Sequence, residues 1–364
     1  ANTIGAVLGT GLAGFYLLPT IGLNATTWCT ATANLLLCVF ALSLSRTVDD
    51  LPTEQPGAAD NDRWRLTALG VVALLAGFAS LLHEVAWFRL MALVLGASAY
   101  AFSVMLFSFL LGIGSGGWVG GSLADKLYKQ GGVQRVLVGL VFIEVGVAVL
   151  TWAAMYGYAE LPWLFVVVYD NMAASALFLW IGKLTLAMAV MVPPAFLMGL
   201  AFPLLVRAAA GESLTLGKPV GRLYGWNTVG AIFGASLGGI LLLPWIFVRG
   251  TIMFAICINL MAALIAYIHS ESNRMQAGAI GGIATMMLGC VLLVFAAPWN
   301  PLQMTAGTYK YVYNMDDRTR EGVYNSHVKP YELMYYAEGL SSVVTVARNK
   351  KTGDVWLANN GKID

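Results

Sequence analysis

One stretch of this sequence occurs twice, and it decides the fold class. Residues Asn227–Gly234 read NTVGAIFG, and residues Asn2–Gly9 read NTIGAVLG, at a constant offset of 225 positions. Apolar composition alone would not place Asn, Gly and Pro in register. Repeats of this kind in membrane proteins indicate two halves related by a symmetry axis. The match continues without gaps and pairs Gly14 with Gly239, Pro19 with Pro244 and Asn34 with Asn259.

The composition of the whole chain is that of a membrane protein. Over 364 residues, 59% are hydrophobic and 11% are charged, and the mean hydropathy is +0.73. A soluble domain carries roughly 25% charged residues because its surface faces water. We therefore expect the lipid bilayer to be the main partner. The net charge of +2, without a basic patch interleaved with aromatic residues, gives no reason to expect nucleic acid as a partner.

Apolar runs of about 20 residues are long enough to cross the hydrocarbon core as helices. They predict an all-α polytopic membrane bundle of about nine transmembrane helices, with a repeat related to major-facilitator-like halves. The stretch between the fifth and sixth runs is expected to be a helix lying along the membrane surface. The nine runs lie near residues 3–21, 26–45, 66–85, 97–122, 135–157, 182–206, 222–246, 250–269 and 277–297.

The repeat and the polar segments divide the chain into four parts. We expect residues 1–45 to be the last two helices of a first membrane repeat, and 46–65, rich in Asp and Pro, to be a polar linker. Residues 66–297 are then a second repeat plus one extra helix. Because only part of the first repeat is present, and both ends are abrupt, we expect the natural protein to extend beyond this sequence.

The composition becomes polar after Trp299, so residues 298–364 are predicted to be soluble. Two β-type runs, Ser342–Val346 and Asp354–Ala358, flank the polar turn Lys350–Gly353. Short alternating runs around such a turn predict a small C-terminal β-hairpin.

Glycines spaced four apart are the clearest packing signal. Small residues at this interval let two helix backbones approach closely in a membrane. We expect a helix–helix contact at each such site, with a substrate path as the alternative. The glycines are Gly112, Gly116 and Gly120 in the fourth run, Gly5 and Gly9 in the first repeat copy, and Gly230 and Gly234 in the second.

Charged side chains inside membrane spans are costly, so each needs a partner or a cavity. The third run carries His83, Glu84 and Arg89 near its end. We expect Glu84 and Arg89 to form an ion pair, or Arg89 to reach the interface, with a proton or substrate site as the alternative. Glu144 has no partner nearby in sequence, and we expect it to hydrogen-bond to a neighbouring helix or to have a functional role. No sequence motif indicates a catalytic residue, a cofactor site or a metal site.

Several motifs, taken in order, carry a resemblance to a known family. They resemble the membrane-fused spermidine synthases, polyamine aminopropyltransferases in which a transporter-like helical bundle precedes the synthase domain. The last two motifs are similar to the first strands of the synthase and to the end of its N-terminal hairpin. The motifs are Glu84–Arg89 (EVAWFR), Leu95–Ser103 (LGASAYAFS), Leu197–Leu204 (LMGLAFPL), Gly221–Ala231 (GRLYGWNTVGA), Tyr335–Val346 (YYAEGLSSVVTV) and Asn360–Asp364 (NGKID).

The resemblance implies a membrane-anchored, spermidine synthase-like protein that lacks its catalytic core in this chain. The glycine-rich nucleotide loop, the ribose-binding acid and the catalytic aspartate of the family have no counterpart here. Decarboxylated S-adenosylmethionine is the implied cosubstrate if a full synthase domain follows. Two other functions remain open. One is a non-catalytic scaffold or accessory subunit of a larger complex with other membrane subunits. The other is a transporter-like protein, since the repeat and the loop Leu123–Lys126 look like major-facilitator proteins.

Lysine and arginine gather on alternate loops, which predicts the orientation in a bacterial inner membrane. By the positive-inside rule the richer loops face the cytoplasm, which puts the C-terminal segment on the periplasmic side. An aminopropyltransferase needs a cytoplasmic cosubstrate, so this orientation lowers the expectation of spermidine synthesis. The richer loops carry Arg46, Arg63, Arg65, Lys126, Lys129, Arg135, Arg207, Lys218, Arg222 and Arg274.

Overall fold

The structure, a computed structural model, describes residues 2–45, 60–211, 217–270 and 274–363 and is mostly helical. The predicted linker 46–65 lies largely outside these residues, and its last six residues belong to the third helix. The helices are α1 (Asn2–Leu12), α2 (Leu18–Ser45), α3 (Asp60–Leu95), α4 (Ala99–Tyr158), α5 (Leu161–Met172), α6 (Ala176–Ala210), α7 (Gly217–Leu237), α8 (Leu243–Ser270), α9 (Arg274–Val294), α10 (Pro301–Met304), α11 (Thr308–Tyr311) and α12 (Arg320–His327).

Five helical segments in the described part of the chain are long and apolar enough to cross a membrane. A sixth, Gly278–Val294, is apolar but shorter. This agrees with the predicted class of a multi-pass membrane bundle. The five segments are Ile4–Leu44, Leu66–Leu95, Ala99–Tyr158, Ala176–Ala210 and Pro219–Ser270.

The longest helix, α4, is broken in its middle. A straight helix of its 60 residues would be about 90 Å long, three times the thickness of a hydrocarbon core. The break falls at Gly131 and Gly132, and Gly132 has a φ of 62°, which favours glycine. A Cβ placed on Gly139 would lie 2.6 Å from Cδ1 of Leu127. Residues twelve apart touch only if the chain folds back, so α4 is a helical hairpin.

The two repeat copies share their backbone irregularities. A five-residue π-helical turn occupies Ala13–Leu17 in the first copy and Gly238–Leu242 in the second, 225 residues later. Each turn lies just before a proline, whose ring and missing N–H disturb the regular helical bonds. A second irregularity follows at the same offset. Gly22 (φ 77°, ψ 173°) and Phe247 (φ 60°, ψ 175°) interrupt α2 and α8 in nearly the same conformation.

The C-terminal segment forms a four-stranded antiparallel sheet with strand order β1-β2-β3-β4. The predicted hairpin is the pair formed by β2 (Val343–Asn349) and β3 (Val355–Asn359). The sheet is larger than the sequence predicted, because β1 (Tyr331–Glu338) pairs along β2, and β4 (Lys362–Ile363) pairs with β3. The short helices α10 to α12 lie between the membrane part and β1.

Candidate functional site

Five of the seven predicted glycine positions lie at two close helix crossings. In α4, a Cβ on Gly112 would lie 2.6 Å from Cβ of Ala195, and one on Gly116 would collide with the carbonyl oxygen of Phe196. Gly120 faces Leu200 and Pro203 on the same helix, α6. Only glycine fits where the backbones are this close, so these residues set the distance between α4 and α6.

The two repeat copies differ in how their glycines are used. Gly230 and Gly234 face the carbonyl oxygens of Leu74 and Phe78, so α7 crosses α3 closely. A Cβ on Gly5 or Gly9 would meet nothing within 4 Å. Gly5 and Gly9 therefore make no close helix contact among the described residues. The glycine spacing is the same in both copies, but no helix of the described part faces Gly5 or Gly9.

A cavity of about 680 Å³ lies inside the bundle, and it contains Glu144. Residues of α3, α4, α6, α7 and α8, together with Ile4, line it. Glu144 is 2% exposed, and its Oε2 accepts a hydrogen bond of 2.7 Å from Nδ2 of Asn259 on α8. Glu144 thus has the interhelical hydrogen bond expected from the sequence, and it also faces a cavity.

Two asparagines supply further polar atoms to this cavity. Nδ2 of Asn227 donates to the carbonyl of Ala73 at 3.1 Å, which ties α7 to α3. Oδ1 of Asn259 is buried and has no hydrogen-bond partner. Both asparagines lie in the sequence repeat, so the repeat register could have singled them out. Sequence reasoning did not assign them a role, because their partners are distant in the chain.

The ion pair predicted between Glu84 and Arg89 is not formed among the described residues. The guanidinium of Arg89 instead donates from Nη2 to the carbonyl oxygens of Gly339 and Leu340, at 2.8 and 2.6 Å. His83 is fully buried, its Nδ1 donates to the carbonyl of Ala79 at 2.8 Å, and its Nε2 has no partner. Arg89 therefore joins the end of α3 to the turn between β1 and β2.

Glu338, the last residue of β1, makes the second connection between the sheet and the membrane part. Its Oε2 accepts a hydrogen bond of 2.8 Å from the backbone N–H of Val248, and its Oε1 accepts one of 2.5 Å from Tyr336. Val248 is the first residue after the break at Phe247, so the carboxylate caps the helix that follows. The rings of Phe247 and Tyr336 pack edge to face at 5.4 Å.

The electrostatics of this junction follow from its burial. Burial raises the pKa of the Glu338 carboxyl, and the hydrogen bonds from Tyr336 and Val248 and the charge of Arg89 oppose that shift. Burial also raises the pKa of Tyr336, and the neighbouring carboxylate adds to the shift. The junction is therefore a partly desolvated group of interacting side chains rather than a solvated surface contact.

Further polar contacts join the segment that precedes β1 to α5 and to the residues just before α5. Arg318 pairs with Asp170 at the end of α5, and Arg320 forms a two-pronged pair with Glu160, just before α5. The side-chain amide of Gln303 donates to the carbonyl of Ala159 at 2.6 Å. The segment that connects the membrane part to β1 is therefore fixed as well.

Within the described ranges, no group of three or more His, Cys, Asp or Glu side chains is placed to hold a metal ion. Comparison of the chain with known protein families, with curated proteins and with solved structures finds no match. The family resemblance therefore depends on the motifs alone.

Proposed function

We propose that this chain is a membrane-anchored, spermidine synthase-like protein whose helical bundle holds the synthase-like sheet at a fixed orientation. The observation that supports this is the junction between Arg89, Glu338 and Val248. It fixes the β1–β2 turn to the ends of two different helices. A flexible tether would need none of these contacts, whereas a platform that orients a soluble domain needs several.

A chimera tests the synthase part of this proposal. Residues 331–363 replace the N-terminal hairpin of a soluble spermidine synthase, and aminopropyl transfer from decarboxylated S-adenosylmethionine to putrescine is measured. We expect a folded and active enzyme. The control chimera carries an unrelated hairpin of the same length. If the two chimeras are equally inactive, the sheet has no synthase-like role, and a non-catalytic accessory subunit becomes the better assignment.

The finer membrane architecture is also part of the proposal. We propose nine crossings and two halves related as in major-facilitator proteins. The breaks at Gly22, Gly131–Gly132 and Phe247 divide the three longest helical segments into pieces of membrane-spanning length. The π-helical turns at the same repeat positions support a common origin for the two helix pairs.

The proposed location is a bacterial inner membrane, with the sheet on the periplasmic side. Thr352 lies on the exposed turn between β2 and β3, and a cysteine there can be labelled with an impermeant thiol reagent. The four native cysteines are first replaced by serine. Labelling in intact spheroplasts is the expected result and weighs against cytoplasmic polyamine synthesis. Labelling only after lysis contradicts the orientation and favours the enzyme.

A further inference from the structure

We infer that the cavity around Glu144 is a binding site for an amphipathic organic cation, an amine with an apolar body. The synthase resemblance does not require this site, and the site is compatible with each of the functions considered above. The inference depends on the carboxylate of Glu144, on the unpaired Oδ1 of Asn259 and on the apolar walls of the cavity.

The polar side of the cavity accepts hydrogen bonds and lacks a positive charge. Among the described residues that line it, Glu144 is the only carboxylic acid and none is Lys, Arg or His. Its one hydrogen-bond partner there is the amide of Asn259. A buried carboxylate inside a membrane is expensive without a counter-charge. A cationic ligand would supply that charge.

The amide of Asn259 adds a second acceptor beside the carboxylate. Its Nδ2 is used by Glu144, while its buried Oδ1 has no partner. A buried acceptor that is left unpaired destabilises the folded protein. An ammonium group carries up to three N–H donors and can serve more than one acceptor, whereas a quaternary cation can only balance the charge. The geometry therefore favours an amine.

The remaining walls suit the apolar body of such a ligand. Phe202 and Tyr224 pack edge to face with ring centroids 6.2 Å apart, and Trp118 and Met198 also line the cavity. Aromatic faces attract cations, and they bind apolar groups equally well. A volume of about 680 Å³ lies within the range of small-molecule sites. A single hydrated metal ion would leave most of this space and its apolar walls unused.

Fluorescence anisotropy of dansylcadaverine, a fluorescent aromatic molecule that carries a primary ammonium group, tests the inference on the purified chain in detergent. We expect saturable binding by the parent. Glu144→Gln keeps the size and the acceptor for Asn259 but removes the charge, and it should weaken binding at least about tenfold, as for a lost charged hydrogen bond. Glu84→Gln is the matched control, because Glu84 belongs to the same bundle but does not line the cavity. Its affinity should equal that of the parent.

Two further measurements keep the test decisive. Phenylethylamine should displace dansylcadaverine, while phenylethanol, which is neutral and of similar shape, should not. Gly117→Leu places a side chain in the cavity and leaves the carboxyl group of Glu144 in the chain, since Gly117 lines the cavity and a Cβ there would meet only the carbonyl oxygen of Gly199 within 4 Å, at 3.8 Å. It should abolish binding even if Glu144→Gln does not fold. Absence of saturable binding, equal competition by the alcohol, or unchanged affinity in either cavity variant would overturn the inference.

Discussion

Replacing Glu338 with alanine should release the helix that begins at Val248. The N–H of Val248 follows the break at Phe247 and donates a hydrogen bond of 2.8 Å to Oε2 of Glu338. The first amides of a helix have no partner within the helix, so a side chain must satisfy them when they are buried. Val248 is fully buried, and alanine cannot supply the missing acceptor.

The size of the effect follows from the kind of bond that is lost. A hydrogen bond to a charged group contributes about 1.5–3 kcal/mol. Since about 1.4 kcal/mol corresponds to a factor of ten, the amide hydrogen of Val248 should exchange with solvent about 10 to 150 times faster in Glu338→Ala. Glu338→Gln retains an acceptor oxygen and should give a smaller increase.

Hydrogen exchange measured by mass spectrometry with residue-level fragmentation reports on this amide directly. Glu332→Ala is the matched control, because Glu332 lies exposed on the same strand. In Glu332→Ala the exchange rate of the Val248 amide should equal that of the parent. An increase of less than about threefold in Glu338→Ala, or an equal increase in the control, would refute the view that this carboxylate caps the helix.

Gly116→Leu should destabilise the bundle by about a few kcal/mol, because the leucine side chain would collide with the backbone of α6. Gly121→Leu should be tolerated, because nothing lies within 4 Å of a Cβ at that position. Thermal unfolding in detergent compares the two variants. Gly22→Ala should lower the free energy of unfolding by about 1–2 kcal/mol, because alanine is strained at a φ of 77°. Gly5→Ala, in regular helix, should leave the free energy of unfolding unchanged. The raised pKa of Glu338 makes a pH prediction. The stability that results from this raised pKa is fully present below the ordinary pKa of a glutamate, about 4.3. It is lost as the pH rises through the raised pKa of Glu338. The melting temperature of the parent relative to Glu338→Gln should therefore fall with rising pH, and a rise would contradict the assignment.

Local patterns predicted the parts of the fold that depend on local physics. The four-residue glycine spacing in α4 identified the face of the helix that packs closely, because spacing fixes which residues share a helix face, but it did not identify α6 as the partner. The alternation in β2 and β3 likewise identified the hairpin. Strand β1 was not predicted as a separate element, because its pairing with β2 shifts between Leu333 and Tyr335 and its residues do not alternate in burial.

The partners of the charged residues could not be read from the sequence. Glu84 lies five positions from Arg89, but the true acceptors of Arg89 are 250 residues away, in the turn after β1. Asn259, the partner of Glu144, is 115 residues distant. Gly5 and Gly9 show the converse case, since a spacing that allows close packing does not specify a helix to pack against.

The cap at Val248 has a mechanical consequence. Val248 and Asn259 lie eleven residues apart on one uninterrupted stretch of α8, which makes them about 16 Å apart along its axis. One end of this rod is held by the sheet and the other holds the carboxylate of Glu144. A displacement of this helix along its axis would move both contacts together, and a linkage between them would have the same magnitude in both directions. The contacts of the sheet at Val248 and the occupancy of the cavity at Asn259 would then act on the same helix.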